Sequence, residues 1–283
     1  MQSSQFSALA RPLDISYRTN LSIMLMSFFV MLIAFFYQWW HLDNALWESL
    51  WWAAQAGLSV FLAWALGREI DPDVNSTAFL AAFLSLAGFY YTGSYQWGLL
   101  IAFLMILRIS SHICGQQIKL TDALFCLALC AYLCWQGQAL IGFAFTAAFL
   151  ADSRLAPVHV RSQWYALAAL IITILAFIFF PVSITDTYFQ FSGIWIPGIG
   201  VVVLIFLQVI REYKNPGSTE DYKTQPLNGH RIQAAQLIVL LTALSIYLLQ
   251  NYRTTLEIAP VWAVILSAEL LRVYRWITKR PLY

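Results

Sequence analysis

The sequence predicts an all-α fold: a polytopic membrane helix bundle of about ten transmembrane helices, with the N and C termini cytoplasmic. Three observations carry this expectation. Hydrophobic residues make up 60% of the 283-residue chain and charged residues 11%, the balance of a protein solvated by lipid rather than water. The apolar residues gather in runs close to the length that crosses a hydrocarbon core ~30 Å thick, with turn residues between them. Finally, of the 16 Lys and Arg, all but Arg253 fall at the termini or in the turns that follow even-numbered runs, which is the asymmetry of the positive-inside rule.

Residues 1–19 are short and polar, with Arg11 and Arg18. The run at 20–40 is longer than the apolar part of a cleaved secretory signal and ends in Trp39-Trp40 instead of a small-residue cleavage site, so it reads as a retained first span. After a turn at His41-Leu42-Asp43-Asn44, a second span covers 46–66 and is expected to stop at Gly67. Pro72 cannot continue a helix and biases Asp71 towards extended backbone, which makes 68–75 a turn at the membrane surface. Spans three and four follow at 76–91 and 96–109. Between 121 and 152 a single apolar stretch is broken only by Gln136-Gly137-Gln138. One span there would reverse everything downstream and move most of its basic residues outside, so the stretch reads as a hairpin of two short spans. Each holds about 14 residues, or roughly 21 Å of helix; eight full spans plus a re-entrant hairpin is the variant with the same sidedness. The remaining spans are 163–180, 194–210, 236–249 and 258–276. Trp39, Trp40, Trp47, Trp51 and Trp52 cluster at the first outer turn and Tyr90, Tyr91, Tyr95 and Trp97 at the second, as aromatic residues do at headgroup level.

Two connections exceed a turn. The outer segment 181–193 carries one charge, Asp186, and is expected to lie along the membrane surface. The segment 211–233, with Asn215-Pro216-Gly217-Ser218 and Pro226-Leu227-Asn228-Gly229, reads as a flexible cytoplasmic loop that separates the first eight spans from a C-terminal hairpin. The whole chain, 1–283, is otherwise one integral membrane domain. It is expected in a cell membrane, of the prokaryotic inner-membrane type.

Chemistry is expected at the cytoplasmic turns. Glu69, Asp71 and Asp73 follow span two, Asp122 opens span five and Asp152 closes span six. Carboxylates at a water–lipid boundary hold a hard divalent ion such as Mg²⁺ against the oxygens of a phosphate or diphosphate. On this reading Asp71, Asp73 and Glu69 are the catalytic candidates, and Asp71, Asp73, Asp122 and Asp152 the metal ligands. Arg68, Arg108, Arg154 and Arg161 would clamp the substrate phosphate. The competing, purely structural reading pairs Arg68 with Asp71, makes Asp73 and Asp122 helix caps, and leaves Asp152 with Arg154 in a solvated turn. Glu269 is the carboxylate deepest in a predicted span, with Arg272 one helical turn on.

Cys126, Cys130 and Cys134 fall four apart and stripe one helix face; they read as small packing residues, since no second ligand pair closes a zinc site. His41, His112, His159 and His230 all lie in turns, without a Ser-His-Asp or His-Glu-x-x-His pattern. Nucleic acid is not an expected partner, because topology accounts for the spread of basic residues; the lipid bilayer is. The leading functional reading is a membrane-embedded enzyme acting on a phosphorylated or lipid substrate at the cytoplasmic face. The alternatives are a small-molecule transporter of ten-span topology and a non-catalytic membrane scaffold or assembly subunit.

Overall fold

The computed structural model describes residues 7–11, 13–179, 195–221, 225–250 and 252–278. It is all-α: the described residues hold no strand, and one isolated bridge joins Thr219 to Pro226. The helices are α1 Arg18–Phe36, α2 Leu46–Ile70, α3 Asn75–Thr92, α4 Trp97–Ser111, α5 Leu120–Trp135, α6 Leu140–Arg154, α7 Ser162–Phe179, α8 Trp195–Glu212, α9 Gly229–Leu249, a short α10 Tyr252–Glu257, and α11 Ala259–Thr278. A π-helical turn, Tyr37–His41, extends α1. Four stretches are long and apolar enough to cross a membrane: Arg18–His41, Leu46–Ile70, Ser162–Phe179 and Gly229–Leu249. The outer segment 181–193 lies outside the described residues.

Helix ends depart from the apolar runs at two places that matter. α2 does not stop at Gly67 but continues to Ile70. Gly67 serves a close approach there, since a Cβ on it would stand 2.7 Å from Cα of Ala78 in α3; a small residue lets two helix backbones meet. At the other place, α9 begins at Gly229, seven residues before the expected start of span nine. Asn228 caps it by accepting the His230 N–H at 3.0 Å.

The helices fall into two compact units. One comprises Met1–Arg11 and Trp97–Thr255, thus α4 to α9 and the N-terminal strap. In it α6 packs on α7, α4 and α9, and α5 packs on α7. Its core includes Phe103, Phe145, Phe149 and Phe206, all fully buried. α6 comes close to α7 at Gly142, where a Cβ would land on Oγ1 of Thr173. Ile113, Tyr213, Leu227 and Ile232 make a small apolar cluster that ties the segment after α8 to the ends of α4 and α9.

The strap spans the ends of α4 and α5. Asp122 accepts the Ala8 N–H at 2.8 Å and the Ser7 hydroxyl at 2.5 Å. Arg108 donates to the Leu9 carbonyl at 2.9 Å, and Arg11 pairs with Asp221 at 2.7 Å. Ala8 and Leu9 are buried, so this polar-looking terminus is part of the folded unit.

The other unit, Pro12–Gln96 and Leu256–Tyr283, packs α1 on α2, α2 on α3, and α11 against α3 and α2. Near the C-terminal end of α3, Phe89 sits between Trp52 and Tyr95, and the Tyr95 hydroxyl donates to the Ser85 carbonyl at 2.6 Å. Burial pushes the Tyr95 phenol up from its ordinary value. Trp40, Trp47 and Tyr91 are more than three-quarters exposed, the arrangement of aromatic side chains that meet lipid headgroups.

Candidate functional site

Each unit carries a buried polar centre at the helix ends that the sequence reads as cytoplasmic. In the strap-bearing unit the centre is Asp152, on the last turn of α6, whose side chain is fully buried. Its Oδ1 accepts from Arg231 Nη1 at 3.0 Å and lies 2.9 Å from His159 Nδ1. Its Oδ2 accepts the Ser162 hydroxyl at 2.6 Å.

Arg231, on the first turn of α9, is the largest fully buried side chain in the protein's described residues. Besides Asp152 it donates to main-chain carbonyls of Ser110, Asp152, Leu155, Ala156 and Pro157, at 2.6 to 3.4 Å. A planar guanidinium with five donors suits this task, for it meets the carbonyls left over at the ends of α4 and α6 and the carboxylate together. Sequence reasoning missed it by placing residue 231 in a flexible loop. The legible signal was Asn228, a capping residue three positions upstream.

His112 completes the centre. It follows α4 with φ of +56°, a left-handed conformation that glycine usually takes at a helix end. Its ring centroid lies 5.0 Å from that of His159. Ligand-type atoms of His112, Asp152 and His159 all lie within 4.8 Å of one another.

In the second unit Glu69 and Asp71 lie at the end of α2 and Glu269 and Arg272 on α11, all buried. Asp71 accepts the Thr77 hydroxyl at 2.7 Å and faces Arg272 Nη2 at 3.6 Å. Arg68 donates to the Asn75 side chain. Glu269 is 4% exposed, and its Oε1 has no hydrogen-bond partner.

No protein-family model, curated protein or solved structure matches this chain.

The sequence-predicted residues are therefore distributed as follows. Asp152 stands with two histidines and is neutralised by Arg231, not by its neighbour Arg154, which is exposed. Asp122 accepts the Lys119 N–H at 3.3 Å at the start of α5 and anchors the strap. Arg108 is engaged by the strap, and Arg161 is exposed. Asp71 is buried beside Thr77 and Arg272, Glu69 is buried near it in sequence, and Asp73 is half-buried. Of the four carboxylates read as metal ligands, Asp152 alone belongs, among the described residues, to a group of three or more ligand-type side chains close enough to share an ion.

Proposed function

We propose that this chain is an integral membrane protein of ten spans with cytoplasmic termini, and that it works as a proton- or cation-coupled transporter of small molecules. Within each unit, the helix ends assigned to the cytoplasm are joined by the contacts just described, as ten alternating spans require. The observation that carries the transport reading is Glu269. The buried cation of its unit, among the described residues, is Arg272. Arg272 reaches Asp71, while Glu269 Oε1 has no hydrogen-bond partner. An uncompensated ionised carboxylate in such a place costs several kcal/mol, so Glu269 carries a proton or a cation when at rest. A buried acid on a membrane helix that must exchange its counter-ion is the working part of an ion-coupled carrier.

The test uses the full chain in lipid vesicles loaded with a pH-sensitive dye. Gradients of Na⁺, K⁺ and a panel of small organic solutes are applied in turn. At least one should drive proton movement in the wild type, and Glu269→Gln should abolish it while Glu269→Asp retains part. Equal proton movement in Glu269→Gln, or none in the wild type with any gradient, overturns the reading.

A second reading, an enzyme acting on a phosphorylated or lipid substrate at the cytoplasmic face, is favoured by the grouping of His112, Asp152 and His159 in the same helix-end region of sequence as the exposed Arg154 and Arg161. It requires turnover of such a substrate by the purified chain, lost in Arg161→Ala with the fold intact.

A further inference from the structure

We infer that His112, Asp152 and His159 form a binding site for one divalent transition-metal ion of the Zn²⁺ or Fe²⁺ class. The inference rests on the strap-bearing unit alone and needs neither functional reading above. Two imidazoles and one carboxylate, with other positions left to water or a substrate, are a donor set that such ions take. Bonds of ~2.1 Å keep two ligands of one ion roughly 3 to 4.2 Å apart. His159 Nδ1 and Asp152 Oδ1 are 2.9 Å apart, and no pair among the three ligand atoms exceeds 4.8 Å. Closing on an ion therefore asks for side-chain shifts of about an ångström.

The backbone supports the same site independently. His112 holds φ of +56° where α4 ends, its N–H on the Arg108 carbonyl at 3.3 Å and its own carbonyl on the Gly115 N–H at 2.9 Å. A side-chain-bearing residue in that conformation costs roughly 1 kcal/mol or more, and such outliers gather at ligand sites. Ser162 and Arg231 orient the carboxylate from behind, as outer-shell donors do around metal sites.

Arg231 also sets the character of the site. Its charge is permanent and already shares that of Asp152, so the site offers a dication less than one full negative charge. Mg²⁺, which wants oxygen ligands, is disfavoured on that ground, and an ion that bonds neutral imidazole is selected. Binding is weaker than in a closed structural zinc site, which has four protein ligands.

The test is made on the full chain, purified in detergent and stripped with chelator. Co²⁺ titration should give one equivalent with visible ligand-field bands and without the near-ultraviolet band of a cobalt–thiolate bond. Zn²⁺ should displace it. His112→Ala and His159→Gln, which leave the Asp152–Arg231 pair in place, should each weaken Zn²⁺ at least tenfold, with helicity and monodispersity unchanged. Uptake of no Co²⁺ by the wild type overturns the inference whatever the variants do. So does a thiolate band, or binding that both histidine variants retain.

Discussion

At the scale of the residue, the strap-bearing unit turns on Arg231. Breaking a buried ion pair by removing one partner costs about 3–5 kcal/mol, because the other charge is left behind. Arg231→Met should lower the thermal unfolding midpoint in detergent accordingly. Asp152→Leu in the same chain should recover only part of the loss: it removes the stranded carboxylate, but the carbonyls of Leu155 and Pro157 remain without their donor. A single variant as stable as wild type would show that the pair does not hold the helix ends together. Asn228 signals where α9 begins, but nothing in the sequence marks Arg231 as buried. Charged side chains are rarely interior, Asn228-Gly229 spells a turn as well as a cap, and the acid that needs Arg231 lies 79 residues away in the chain. Asp152 stood out in the sequence because acids are scarce in an apolar chain; its neighbours His112 and His159, dispersed in turns, did not. The expected pairing of Asp152 with Arg154 fails for a physical reason: Arg154 is exposed, whereas Arg231, on α9 packed against α6, reaches the buried carboxylate.

At the scale of the element, helices were readable because each apolar run is bounded by turn residues, and the α5–α6 break at Gln136-Gly137-Gln138 appears as a turn with Gly137 at φ of +82°. Glycine was the ambiguous letter. Gly137 ends a helix, whereas Gly67 and Gly142 continue theirs and let a neighbour approach. Sequence spacing does not separate the two uses, since both depend on what stands opposite. Gly142 offers the sharper test. An added Cβ would strike Thr173 Oγ1 and come within 3.1 Å of Cys134 Sγ. Gly142→Ala should therefore destabilise by about 1–3 kcal/mol through overpacking. Thr173→Ala should relieve part of this in the double variant, because it removes the Oγ1 clash while leaving the Cβ of residue 173 at 3.0 Å from the added Cβ and giving up the hydroxyl's bonds to the Ala169 carbonyl and to Cys130 and Cys134. Additive losses in a thermal double-mutant cycle would place the strain elsewhere.

At the scale of the whole molecule, the α5–α6 hairpin sets how many helices cross. Four stretches meet the length and hydropathy of a span by themselves. α5 and α6 have 16 and 15 residues, or roughly 22–24 Å of helix at 1.5 Å per residue, short of a ~30 Å core. Charge argues for crossing: Arg108 and Lys119 precede the hairpin and Arg154 and Arg161 follow it, with no Lys or Arg between. A tip without cations is what an outward-facing turn requires. A re-entrant hairpin would satisfy the same rule, however, so only the reach of the tip distinguishes them. Trp135 is 70% exposed beside that tip, where an interfacial indole would anchor it in the outer headgroups, the bilayer thinning locally to meet the short helices. In a chain with its four cysteines replaced by alanine, Gln136→Cys should react with a membrane-impermeant maleimide in right-side-out vesicles, as Asn44→Cys does. Arg154→Cys and Lys214→Cys should react only in inverted ones. Protection of Gln136→Cys from both sides would make the hairpin re-entrant and reduce the spans to eight with the sidedness kept; labelling of Arg154→Cys from outside would reverse the topology beyond α6 and remove the charge argument with it.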